Sequence, residues 1–150
     1  MRIGLISDTH GLLRPEALDF LRGSDRIVHG GDIGGPEILV ALSAIAPLTV
    51  VRGNNDGAAW ADAVPDTALL EAGGLRLFAI HDLAQLRIDP VAEGIRVVVS
   101  GHSHRPLAAQ RGPVLYVNPG SAGPRRFRLP ISVAELHIDG DAITPRLVEL

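Results

Sequence analysis

The chain contains no cysteine. Disulfides and thiolate metal sites are therefore excluded, and any metal must be held by nitrogen and oxygen. Lysine is absent too: all 14 basic residues are arginine, which reads as a genome-composition bias rather than a binding signal. Aromatic residues make up 3 %, so the core must be built from Val, Ile, Leu and Ala. The net charge is −3 and the pI about 6.0. That argues against the basic stripe of an extended nucleic-acid surface, although a short oligonucleotide could still fit. Long apolar runs are missing. The stretch from Ile38 to Val51 is broken by Ser43 and Pro47 and falls short of the roughly 20 residues that span a bilayer. Ile3–Ile6 is too short for a signal-peptide core. No membrane contact and a cytoplasmic location are expected.

What is present suits one compact domain over residues 1–150, with 46 % hydrophobic residues to fill a core. Strand-like runs lie at Arg2–Ser7, Arg26–His29, Leu48–Arg52, Thr67–Glu71, Leu75–Ile80, Arg96–Ser100, Val114–Val117, Ser132–Ile138 and Ala142–Glu149. Continuous apolar triplets such as Val97-Val98-Val99 suit strands covered on both faces. Val133, Glu135 and His137 alternate with Ala134, Leu136 and Ile138, which predicts a strand with one wet face. Pro15-Glu16 and Pro36-Glu37 each open a helix. A first-turn proline costs no hydrogen bond there, and the acid complements the dipole. The first half reads β-α-β-α-β, the pattern of a parallel sheet. The whole reads as an α/β fold, a four-layer αββα sandwich of mixed sheets with flanking helices.

Polar motifs follow the apolar strands directly: Asp8-Thr9-His10, Gly31-Asp32, Gly53-Asn54-Asn55-Asp56, His81-Asp82, Gly101-His102-Ser103-His104 and Asn118-Pro119-Gly120-Ser121. In open α/β sheets, ligands bind beyond the carboxyl ends of the strands, so these six ends predict one shared crevice. Carboxylate, imidazole and amide groups suit Mn, Fe, Zn, Ni or Co better than Ca. Asp8, His10, Asp32, Asn54, His81, His102 and His104 are too many for one tetrahedral site. They suit two divalent ions about 3.5–4 Å apart that share a carboxylate. Such a centre carries net positive charge and invites a phosphate.

These motifs, in this order from Asp8 to Ser121, resemble the calcineurin-like metallophosphoesterase superfamily. The short chain and Asn118–Ser121 are similar to its small YfcE-like phosphodiesterase branch. The resemblance implies that Asp8, His10 and His104 bind a first metal and Asn54, His81 and His102 a second, with Asp32 bridging. Manganese is the first expectation. It further implies hydrolysis of a P–O bond by a hydroxide between the metals. Catalytic participation falls to His10, Asn54, Asn55 and Asp56, and substrate contact to Asn55 and Arg125. Asn55 stands where the family more often has His, and Asp82 where it more often has Gly. The competing class is a protein-interaction scaffold, since the family includes a retromer subunit that uses the fold to bind partners. All seven ligand positions are filled with competent residues, which favours the enzyme.

Blander readings attach to the rest. His29 within a strand and His137 on the wet face of a late strand are expected to be structural. Arg125, Arg126 and Arg128 form a run that suits either a solvated loop or a substrate-phosphate contact. Asn118–Ser121 is expected to shape the site floor. The sequence leaves a homo-oligomer open.

Overall fold

The computed structural model describes residues 1–150. The chain runs β1 (Arg2–Ile6), α1 (Pro15–Leu21), β2 (Arg26–His29), α2 (Pro36–Ser43) and β3 (Leu48–Val50). It continues through β4 (Thr67–Ala72), β5 (Leu75–Ile80), β6 (Ile95–Val99), β7 (Leu107–Arg111), β8 (Val114–Asn118), β9 (Ser132–Asp139) and β10 (Ala142–Glu149). Pro15 and Pro36 open the two helices as expected. At 7 and 8 residues these are too short to persist alone and depend on packing. No helix is long and apolar enough to cross a membrane.

Two mixed five-stranded sheets stack face to face, in the orders β10-β9-β1-β2-β3 and β4-β5-β6-β8-β7. Within the first sheet β1, β2 and β3 are parallel; within the second β5, β6 and β8 are parallel. Aliphatic side chains fill the space between them, among them Leu5, Val28, Leu77, Val97 and Leu136. Outside the first sheet, Ala17, Leu21, Ile38 and Leu42 of the helices pack on Ile6, Ile27 and Val133. This is the expected sandwich, with one difference. The layer beyond the second sheet holds a single 3-10 turn, Leu83–Gln85, in place of an α-helix. Leu83, Leu86 and Ile88 there pack on Ile80 and Val98.

Three local readings change. β3 ends at Val50 because the Arg52 amide turns away to the Pro65 carbonyl. β7 lacks an alternating or β-branched strand pattern; Leu107–Arg111 is a mostly exposed edge strand held by pairing with β8. The face of β9 read as wet is covered at Val133 and Glu135. Val133 lies under the helices, and Glu135 is ringed by Arg2, His137 (2.9 Å) and Arg146 (2.7 Å). Burial pushes the Glu135 carboxyl up, but hydrogen bonds from His137, Arg2 and Arg146 prevail and hold it at about 2. His137 thus serves a structural ion cluster.

Candidate metal centre

Because the parallel strands of both sheets end on the same rim, the six polar loops meet there. Loops after β1 and β6 bring Asp8, His10 and His104 together. His104 Nε2 lies 3.3 Å from Asp8 Oδ1 and 3.4 Å from His10 Nε2. Loops after β3, β5 and β6 form a second group. Asn54 Oδ1 lies 3.0 Å from His81 Nε2 and 3.1 Å from His102 Nδ1. Asp32, after β2, stands between the two. Its Oδ2 is 3.7 Å from His10 Nε2 and 3.4 Å from His81 Nε2. All seven side chains singled out from the sequence therefore face one crevice, in two clusters that share Asp32.

The backbone is bent to achieve this. Six non-glycine residues have positive φ, and five of them are Asp8, His10, Asp32, His102 and His104. For residues with a Cβ this region is strained by roughly 1–3 kcal/mol each. Such strain survives only where surrounding contacts impose it. Two are visible: the Asp8 amide donates to the Gly31 carbonyl at 2.9 Å, and the His10 amide to the Asp32 carbonyl at 2.9 Å. Gly53 sits so close to Asp32 that a Cβ would overlap both its carboxylate and its amide.

Are these groups competent to hold cations? Asp8 is fully buried, and its Oδ1 has no hydrogen-bond partner. Leaving a buried carboxylate oxygen bare is costly unless something positive occupies the space it faces. Its other oxygen is fixed by the Ser7 hydroxyl (2.6 Å) and the His102 amide (3.1 Å). Burial pushes the Asp32 carboxyl up, but the His81 and Asn55 hydrogen bonds hold it far below the usual range. Burial pushes His81 down, yet hydrogen bonds to Asp32 and the Gly30 carbonyl prevail and raise it. Burial lowers His10; Asp32 and Asp8 oppose this, and Arg126 adds to it. The donor set is all nitrogen and oxygen, borderline to hard, and it fits divalent transition ions.

Other predicted residues take different places. Asn55 binds Asp32 through its backbone amide (2.9 Å) and its side-chain NH2 (3.0 Å). Asp56 is buried and accepts the Ile33, Gly34 and Gly53 amides at 2.9–3.1 Å. It ties the β2 and β3 loops together, and with both oxygens occupied it is not poised to move a proton. Asp82 caps the 3-10 turn, with Oδ2 3.9 Å from His102 Nε2. Arg125 is exposed, and the arginine whose charge reaches His10 is Arg126. Asn118 and Ser121 brace the floor: the Asn118 amide donates to the Gly101 carbonyl at 2.9 Å, and the Ser121 hydroxyl to that of Asp8 at 3.0 Å.

Sequence reasoning missed Ser7 and the Thr9–His29 relay. The Gly31 amide donates to His29 Nδ1 at 3.0 Å, so Nε2 carries the proton and donates to Thr9 Oγ1 at 3.0 Å. Thr9 then donates to the Ile33 carbonyl at 2.7 Å. Complete burial, opposed by the more distant Asp8 and Asp56, lowers His29 to about 4. Between that value and its ordinary 6.5 the unfolded chain binds more protons. Stability should therefore fall as pH drops through this window, by up to about 3 kcal/mol. Urea titrations at pH 7 and 5, in chelator, should show a smaller pH effect for His29→Gln than for wild type. Equal pH effects would remove His29 as the cause.

A family model described as the calcineurin-like phosphoesterase superfamily domain matches residues 1–141. A probable metallophosphoesterase of Methanothermobacter thermautotrophicus is 36 % identical over 160 residues, spanning 99 % of this chain and 92 % of the relative. The solved structure of an archaeal phosphodiesterase has a TM-score of 0.81 at 22 % identity, covering 99 % of this chain and 100 % of that one. Vps29 of Entamoeba histolytica, solved with zinc, has a TM-score of 0.76 at 21 % identity over 99 % of each chain. At these identities the two structures speak to the fold.

Proposed function

The chain belongs to the calcineurin-like phosphoesterase superfamily, and on that premise we propose that it is a two-metal phosphodiesterase. The observation that carries this is the pair of donor clusters meeting at Asp32, beside a buried Asp8 oxygen with no partner. Asp8, His10 and His104 would hold one cation, Asn54, His81 and His102 the other, and Asp32 both. Manganese is the first candidate, with Fe, Zn, Ni or Co as alternatives. Two such cations would supply an activated water at neutral pH and neutralise charge on the phosphoryl oxygens.

The chain's own residues set the geometry. Ser7 and the His102 amide aim Asp8. The Gly30 carbonyl accepts from His81 Nδ1 at 2.7 Å and so turns Nε2 to the site. Such supporting bonds orient ligands and raise their basicity. Asn55 steadies Asp32. The preference for diesters over monoesters draws on the archaeal phosphodiesterase with the same fold.

Titrating metal-free protein with Mn at pH 6.5 should show about two ions bound per chain. His81, raised by Asp32, must lose its proton when it coordinates. Calorimetry in buffers of different ionisation enthalpy should therefore register proton release. Hydrolysis of an aryl diester should vanish in chelator and return with Mn. Full activity in excess chelator would sink the proposal.

Asn55, where the family more often has His, favours the scaffold reading, because its amide cannot give a proton to a leaving oxygen. If hydrolysis occurs, rates should depend steeply on leaving-group pKa. Asn55→His should speed the poor leaving groups selectively, by up to the roughly 10²–10⁴-fold typical of a positioned acid. The same shallow slope for both proteins would show that another group already serves. Metal binding with no turnover of any ester would favour the scaffold.

A further inference from the structure

The chain has five aromatic residues, 3 Phe, 1 Trp and 1 Tyr, and it leaves one of them almost fully in solvent. Phe127 is 92 % exposed and sits at φ +53°, at the tip of the loop after Ser121. Its neighbours are Arg125, Arg126 and Arg128, and residues 123–131 contain no acid. None of these arginines, nor Arg105, makes an ion pair or a side-chain hydrogen bond, unlike Arg2, Arg52 and Arg146.

Two hollows connect this loop to the candidate centre. One, of about 650 Å³, starts at His102 and Asp82 and is walled by Leu107, Tyr116 and Leu129. The other, of about 530 Å³, lies among Arg105, Phe127, Arg128 and Leu129. Arg105 and Leu129 line both, so the two hollows adjoin and together make a trough-like surface beside His102. Each part has the size of a small-molecule site. The donor clusters account for the reacting phosphoryl group and for nothing beyond it. A trough with apolar walls, two aromatic rings and unpaired guanidinium groups calls for a planar aromatic group and a further anion on the same molecule. Bases stack on exposed aromatic rings whatever their sequence, while arginines follow the phosphates.

We propose that this trough binds the arm of a short single-stranded oligonucleotide, with a base stacked on Phe127 and the adjoining phosphate held by Arg105 and Arg128. The proposal rests on the phosphodiesterase reading and supplies its substrate class. It is compatible with the chain's negative net charge because the basic patch is local, confined to Arg105, Arg125, Arg126 and Arg128.

The test is fluorescence anisotropy with the Mn-loaded full chain and a labelled phosphorothioate tetranucleotide, which keeps its charges and resists hydrolysis. An abasic strand of the same length is the comparison. The base-bearing strand should bind about five- to a hundredfold more tightly. Phe127→Ala should remove that difference. Arg105→Ala with Arg128→Ala should weaken both strands and flatten the salt dependence, by about 0.7 in log–log slope for each phosphate no longer neutralised. Equal affinity of the two strands for wild type overturns the proposal. So does a chain that sediments as a dimer and becomes monomeric on Phe127→Ala, because the ring would then serve a second copy. Hydrolysis of a compact aryl diester is followed in parallel. Turnover without base-dependent binding refutes the trough alone, and Phe127-dependent binding without turnover of any diester refutes the hydrolase reading alone.

Discussion

Asp32→Asn is expected to lower kcat/KM by about 10³-fold or more and to reduce bound metal from two ions per chain to one or none. Asp32 Oδ2 stands between the two clusters, 3.7 Å from His10 Nε2 and 3.4 Å from His81 Nε2. Its negative charge offsets the repulsion between two closely spaced cations, and an amide of the same shape cannot. Asn55→Ala removes a bond to that carboxylate rather than a ligand, so its cost should stay within the roughly 10–100-fold of a supporting group. Elemental analysis and kcat/KM at saturating Mn separate the two. Equal losses, with metal content unchanged in both variants, would contradict the role given to Asp32.

Gly53→Ala should damage stability and site together. The added Cβ would meet the Asp32 carboxylate and the Asp32 amide, and backbone has little room to yield. Gly53 also donates its amide to Asp56 at 2.9 Å, so displacing it loosens the loop that carries Asn54 and Asn55. A loss of about 1–3 kcal/mol, the usual cost of overpacking, is expected, with weaker metal binding. Gly57→Ala is the control, since nothing lies within 4 Å of a Cβ there. Urea midpoints in chelator and Mn affinities for the two variants decide it. Equal behaviour would mean that the loop gives way freely.

The sandwich and the convergence of the polar loops on one rim were both legible in the sequence. Asp8, Asp32, Asn54, His81, His102 and His104 each follow an apolar strand within a few residues, so parallel strands were bound to deliver them to one rim. Position along the chain encodes that. Left-handed backbone at Asp8 and Asp32 is only weakly signalled by residue type, because most aspartates, though more tolerant of positive φ than other residues, do not adopt it. Asp56 shared a motif with Asn54 and so read as catalytic. Only three-dimensional contacts reveal that its carboxylate is spent on backbone amides. Edge strand β7 was invisible because Leu107–Arg111 pairs through main chain and buries almost nothing. The face of β9 misled for a different reason. Glu135 looks solvent-seeking by type, and its burial depends on Arg2 and Arg146, which lie far from it in sequence or on the next strand.

Laboratory evolution would meet the five left-handed residues in an unexpected way. Asp8, His10, Asp32, His102 and His104 are five of the six non-glycine residues held in left-handed backbone. Glycine would relax each of them, and at Asp8 it would also dispose of a buried charge. A library selected for heat resistance in the presence of chelator should therefore drift towards glycine at these positions and enrich sturdy proteins with no centre left. The same library selected with metal present faces the opposite pressure, because ligand binding then rewards the strained conformers. Which ion is in the medium decides whether selection for robustness keeps the site or erases it.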